Sequence, residues 1–325
     1  MRILILGGTG FVGRAVVEDA LRHGHEVTLF NRGRSASSDL FPHVRRLVGD
    51  RDADDYAALA TGSWEAVVDC SGYVPRHVNR AMDALGDRVA RYLFISTNAV
   101  YQCAGIGPGA TEDTPLRAPV RDTEELLEET YGPLKVACED DVRARFRVAA
   151  TIVRPGKVAG PHDPQSGLTY WVRRAARGGR VALPGRPEQP VQLVDSRDLA
   201  RLVVRLLEDD RGGAFHAVGP AEPVTLADVI HACARVAGTG VEIVPVPREA
   251  FAGELFPLVR EHVEEWSTQQ RDPGRAVAAG MPQTPLETTL ADAAAWDRER
   301  GEPALGSGFT AEQEAEVLAK YGPGA

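Results

Sequence analysis

A chain of 325 residues with 43% hydrophobic and 26% charged side chains can bury one large α/β core with an appended lobe, or two modest cores, without disulfide or metal support. No apolar run approaches the about 20 residues that span a bilayer, and the opening Met1-Arg2-Ile3-Leu4-Ile5-Leu6 stops at Gly7, too short for a signal-peptide core, so membrane insertion and export are disfavoured and a cytoplasmic location is expected. A formal net charge of -9 argues against a nucleic-acid partner, because such binding draws on phosphate neutralisation by Lys and Arg.

In chain order, Ile3 to Leu6 predicts a strand, Phe11 to Arg22 a helix, and Glu26 to Phe30 and Val44 to Val48 two further strands. Ala66 to Asp69 and Tyr92 to Ser96 continue the strands, with a helix around Val78 to Leu85 between them. A helix from about Tyr131 to Arg145 and a strand from Val148 to Val153 follow. Strands this continuously apolar, alternating with amphipathic helices, predict a parallel sheet covered on both faces. Beyond Arg154 the pattern loosens into Gly- and Pro-rich loops at Gly156 to Gly167 and Leu183 to Pro187, where substrate-facing structure should begin. Later helices are predicted at Arg197 to Glu208, Leu226 to Ala237 and Leu286 to Arg300, and a last one opens at Thr310, spaced from Gln313 as a capping box. Cys70, Cys103, Cys138 and Cys233 lie far apart with no CxxC pair, as expected of reduced thiols.

Between the first strand and first helix stands Gly7-Gly8-Thr9-Gly10-Phe11-Val12-Gly13, a glycine spacing that gains meaning from its position in a βαβ unit. Gly7 would permit the tight turn, Gly10 close approach of a pyrophosphate, and Gly13 close packing of helix on strand. Thr9, Phe11 and Val12 share this loop, whose helix N-terminus offers unpaired amides and partial positive charge to phosphates. The fold class expected is α/β, a Rossmann-type doubly wound parallel sheet over residues 1–160, with residues 161–325 forming mainly a smaller C-terminal substrate-binding lobe and the chain returning to the sheet around 189–220.

The second strand ends in Leu29-Phe30-Asn31-Arg32-Gly33-Arg34, about 20 residues past the glycines, where an acid would hold the adenosine ribose of NAD. Asn31 presents no carboxylate to repel a 2′-phosphate, and Arg32 and Arg34 would pair with one, so NADP(H) is the preferred cofactor and NAD(H) the alternative. Asp50, after the third strand, is a candidate neighbour of the adenine, and Ser71 lies in the Asp69 to Tyr73 turn that should border the dinucleotide.

Tyr131 and Lys135 fall at i and i+4 on one helix face. With the helix beginning near Thr130, Pro133 sits in the first turn, where its missing amide costs least, and Tyr131 lies near the positive end of the dipole. That end and the Lys135 ammonium should lower the phenol pKa. A hydroxyl partner is available in Ser96-Thr97 at the end of the fifth strand.

These residues resemble the extended short-chain dehydrogenase/reductases, the NAD-dependent epimerase/dehydratase family, from the glycine loop through about Pro220. The likeness also rests on Ser96-Thr97 with Val100-Tyr101, Tyr131-Gly132 with Lys135, Val153-Arg154-Pro155-Gly156 with Gly160-Pro161, Val194 to Ala200, and Phe215-His216-Ala217-Val218-Gly219. The resemblance implies that Tyr131 exchanges a proton with the substrate oxygen, that Lys135 binds the nicotinamide ribose and tunes Tyr131, and that Thr97 hydrogen-bonds the same oxygen, with Ser96 as fallback. Hydride transfer between NADP(H) and a small carbonyl or hydroxyl substrate is then the expected activity. Sugar-nucleotide epimerisation and a non-catalytic, cofactor-gated or RNA-associated role are alternatives. The family's dehydratases carry Asp-Glu where this chain has Asn98-Ala99, which argues against water elimination. The partner expected is a small-molecule substrate, with the chain a monomer or homodimer. His23, His25 and His162 are expected to be structural or solvated, and one of Trp171, Arg173 and Arg174 to shape the substrate pocket.

Overall fold

The structure is a computed structural model that describes residues 1–33, 40–102, 105–220, 223–251, 256–260 and 262–322. Arg34 and Cys103, named above, lie outside the described residues. The first half runs β1 (Arg2–Leu6), α1 (Phe11–Arg22), β2 (Glu26–Asn31), β3 (Arg45–Val48), β4 (Trp64–Asp69), α2 (Pro75–Leu85), β5 (Val89–Ile95), α3 (Glu128–Phe146) and β6 (Ala150–Pro155). Then come β7 (Lys157–Ala159), α4 (Gly167–Ala176), β8 (Gly179–Leu183), β9 (Pro190–Val191), β10 (Leu193–Asp195), α5 (Ser196–Glu208) and β11 (Gly213–Ala217). The chain closes with β12 (Val224–Thr225), α6 (Leu226–Ala237), β13 (Val241–Pro245), α7 (Gly274–Ala278), α8 (Leu286–Glu299) and α9 (Ala311–Tyr321).

Seven strands form one sheet in the order β11-β6-β5-β4-β1-β2-β3, every pair parallel. Side chains alternate across it as strand geometry requires. Ile3 and Ile5 pack with Val16, Val17 and Ala20 of α1 and Leu199, Leu202 and Leu206 of α5. Leu4 and Leu6 face the opposite side, with Val78 and Met82 of α2 and Cys138 and Val142 of α3. A separate core gathers α4, β8, α6 and α8 around the fully buried Trp171, with Tyr170, Phe251, Phe256 and Phe309 packed edge to face beside it.

Helices α1 and α6 occupy the residues predicted, and Thr310 caps α9 by accepting the Gln313 amide at 3.2 Å. The sixth strand is corrected: Val148 lies in a 3-10 turn, 90% exposed, and the strand starts at Ala150. The expected loop after Arg154 contains β7, paired in parallel with β10. Helix α3 begins at Glu128, two residues before the predicted start, which puts Pro133 in its second turn. The missing amide leaves the Glu129 carbonyl without its helical donor, and Arg117 Nη2 supplies one at 2.8 Å.

On its sheet-facing side α3 carries Glu139, fully buried against Arg154 of β6, whose Nε and Nη2 reach its two oxygens at 3.0 and 2.6 Å. Ser96 donates to the same carboxylate at 2.5 Å and Arg143 lies 3.0 Å away. Glu139→Ala would strand the Arg154 guanidinium inside the protein, and a loss of about 3–5 kcal/mol in urea unfolding is expected; a loss under about 1 kcal/mol would show that the pair does not hold α3 to the sheet.

Candidate active site

A cavity of about 900 Å³ opens along the carboxyl edge of the sheet. Its wall runs from the Gly7 to Gly13 loop through Asn31, Arg32 and Gly33 after β2, Asp50 and Arg51 after β3, and Cys70, Ser71 and Tyr73 after β4. It continues through Ser96 and Thr97 after β5 to Tyr131 and Lys135 on α3, and ends at Pro155 to Val158 and Asp163 to Gln165. Every described residue proposed from sequence as cofactor-binding or catalytic therefore borders one cavity, at the edge where open α/β sheets take ligands.

The glycines divide their work differently from the sequence expectation. Gly7 adopts φ +87°, as a left-handed turn requires. A Cβ on Gly10 would meet nothing closer than the Gly7 carbonyl at 3.9 Å, so that side stands open to the cavity. Gly13 does not serve helix–strand packing: its Cβ would fall 2.2 Å from the Gly7 carbonyl, so it makes room for the loop itself. Helix–strand packing falls to Gly8, whose Cβ would lie 2.6 Å from Leu29 of β2 and 2.9 Å from Val17 of α1. No side chain caps the first turn of α1, and Gly10 is its N-cap.

After β2, the Asn31 side chain accepts the Gly33 amide at 3.2 Å and shapes the turn. Arg32 projects outward, 3.6 Å from Asp52, both well over half exposed. Asp50 accepts the Asp52 amide at 3.1 Å. Beneath this end lies a residue that sequence reasoning passed over. Arg51 forms a bidentate pair with Asp69, at 2.9 and 2.7 Å, and donates to Ser71 Oγ at 3.2 Å. Burial works against the Arg51 charge, but Asp69 more than offsets it and holds the guanidinium above its ordinary pKa.

At the other end, Tyr131 and Thr97 both line the cavity wall, and Thr97 Oγ1 accepts the Ala99 amide at 3.1 Å. The expected fall in the Tyr131 pKa is not found: burial pushes the phenol up, and the neighbouring Thr97 side chain only moderates the rise. Lys135 is turned elsewhere. Its ammonium, buried at 3% exposure, donates to the carbonyls of Gly72 at 2.7 Å and Ile95 at 2.8 Å, 4.0 Å from the centre of the Phe94 ring. Burial takes it down to about 8, with Cys138, Asp69 and Glu139 pulling the other way.

Ser96 borders the cavity, but its hydroxyl is committed to Glu139. Asn98 is likewise engaged, donating to the Thr268 carbonyl at 2.6 Å and accepting from Arg271 at 3.0 Å. None of Trp171, Arg173 and Arg174 borders the cavity. Trp171 donates to the Pro257 carbonyl, Arg173 pairs with Asp297 of α8 and Arg174 with Glu314 of α9. His162 stacks edge-on against Trp296, and His23 and His25 bond to Asp19 and Glu208. Among the described residues, no cluster of His, Cys, Asp and Glu could hold a metal ion, and no helix is long and apolar enough to cross a membrane.

Residues 3–218 match the model of the NAD dependent epimerase/dehydratase family. The chloroplast stem-loop binding protein of 41 kDa b of Arabidopsis thaliana is 25% identical over 280 residues, which cover 80% of this chain and 71% of that protein. The UDP-glucose 4-epimerase of Corynebacterium glutamicum is 25% identical over 289 residues, covering 77% of this chain and 84% of that protein. A crystal structure of a UDP-glucose 4-epimerase superposes with a TM-score of 0.70 at 16% identity, covering 95% of this chain and 100% of that one, a likeness of fold. The family match takes in the seven-stranded sheet and every residue that borders the cavity, and the chain belongs to the NAD dependent epimerase/dehydratase family.

Proposed function

We propose that the protein is an NADP(H)-dependent oxidoreductase acting on a small carbonyl or hydroxyl compound. The observation that carries this reading is the placement of Tyr131, Thr97 and Lys135 together in the wall of the cavity whose far end is the glycine loop. The cavity suits a dinucleotide: the uncapped first turn of α1 leaves amides for phosphate, and the open side of Gly10 admits it closely. When bound, the cofactor supplies or takes the hydride.

The chain's own groups manage the proton and the geometry. Burial keeps Tyr131 protonated at neutral pH, which suits a donor to the oxygen of a carbonyl undergoing reduction. Thr97 shares that oxygen, its hydroxyl oriented by the Ala99 amide. Lys135, fixed by two carbonyls, holds a positive charge close to the reacting end. With Asn98 engaged in holding Thr268 and Arg271, the proton transfers of water elimination have no group at that position. The NADP(H) preference is supported by the lack of a carboxylate at Asn31 and by Arg32, whose ion pair with Asp52 is too exposed to hold it firmly.

Likeness to the two UDP-glucose 4-epimerases supports a second reading, a sugar-nucleotide epimerase that retains its dinucleotide through turnover. Likeness to the chloroplast stem-loop binding protein raises RNA as a ligand, against which stands the net charge of -9.

Fluorescence titration should show NADPH binding at least about tenfold more tightly than NADH, the weight of one charge-assisted contact; equal affinities would remove the NADP(H) assignment. Tyr131→Phe should lower kcat about 100-fold or more while leaving the NADPH Kd unchanged, and full turnover in that variant would exclude Tyr131 as the acid. Heat-denatured protein should release no stoichiometric dinucleotide; its release would favour the epimerase.

A further inference from the structure

Arg51 and Asp69 come from the ends of β3 and β4, which have β1 and β2 between them in the sheet. Both side chains are buried, at 8% and 0% exposure, although Arg51 also borders the cavity. The carboxylate is saturated: besides the two guanidinium bonds it accepts the Tyr92 hydroxyl at 2.7 Å and the Ser71 backbone amide at 3.0 Å. Arg51 grips the same turn from its other side through Ser71 Oγ. Ser71 also packs against the glycine loop, since a Cβ on Gly7 would fall 2.7 Å from its own. The next carbonyl along, that of Gly72, receives the Lys135 ammonium.

We propose that the Arg51–Asp69 pair is a positioning device for Lys135, clamping the Cys70-Ser71-Gly72 turn where the Gly72 carbonyl meets the ammonium. The functional weight of this proposal rests on Lys135 serving the active site as described above. Arg51 itself is not assigned to a phosphate, because its charge is answered by Asp69. A planar fork suits this task, since two parallel bonds fix orientation as well as distance, which a lysine in its place would not do.

The sequence contains three lysines, Lys135, Lys157 and Lys320, so acylation can be followed site by site. The full chain would be pulsed with acetic anhydride at pH 7.5, and modification of Lys135 relative to the exposed Lys320 read by peptide mass spectrometry. Arg51→Met and Asp69→Asn should each raise that ratio by about tenfold or more, as the turn opens and the ammonium loses a carbonyl. Glu314→Gln, which breaks the equally buried pair with Arg174 between α4 and α9, should leave it unchanged. Arg51→Lys keeps the charge and one contact, and should raise the ratio by a smaller factor even if the other two variants fail to fold. Wild-type protection of Lys135 in the Arg51 and Asp69 variants that fold would overturn the proposal, as would equal exposure in Glu314→Gln. The assay needs no turnover, so its outcome is independent of whether the oxidoreductase reading stands.

Discussion

One buried ammonium ties the two sides of the cavity wall together. A charge inside a protein must find compensating dipoles or be lost, and Lys135 finds two, the carbonyls of Gly72 and Ile95. One follows β4 and the other ends β5, so a side chain on α3 sets the helix against two strands at once. Tyr131, one turn earlier, is thereby placed against Thr97, two residues beyond Ile95. The helix tolerates Pro133 between them because Arg117 answers the carbonyl that proline leaves open.

A second polar network commits several polar groups near the cavity to structural bonds. Arg154 joins Glu139 to the Tyr101 hydroxyl at 2.5 Å, Tyr101 meets His216 Nε2 at 2.7 Å, and Glu112 accepts the His216 backbone amide at 2.7 Å. Burial takes His216 down to about 4, so it is neutral and serves as a hydrogen-bonding spacer. Side-chain amides do similar work against the C-terminal segment: Gln189 accepts the Arg260 amide, and Gln192 accepts the Arg271 amide and donates to its carbonyl. Ser96, Asn98, Glu139 and His216 all carry reactive-looking groups, yet their bonds are spent on these contacts. Thr97, Tyr131 and Lys135 remain at the cavity wall.

The glycine-loop end of the cavity depends on missing side chains rather than on bonds. At Gly7, Gly8 and Gly13 any Cβ would fall below 3 Å from a neighbouring atom, so the loop closes only with hydrogen at each position. No side chain caps the first turn of α1, so its amides are left without a side-chain acceptor.

What could be read along the chain was what depends on neighbours in sequence. A continuously apolar run placed β1 between two helix layers, and the capping box at Thr310 marked the start of α9. The glycine spacing and the four-residue step from Tyr131 to Lys135 located the cavity's two ends. What depends on the far side of the sheet was not legible. Arg51 and Asp69 meet across two intervening strands, adjacent Ser96 and Thr97 differ only in which has Glu139 beside it, and Arg173 and Arg174 look toward helices more than a hundred residues away. Local spacing determined which groups this protein possesses, but a charge or hydroxyl becomes structural or chemical according to the partner opposite it, and only the packed chain brings that partner within bonding distance.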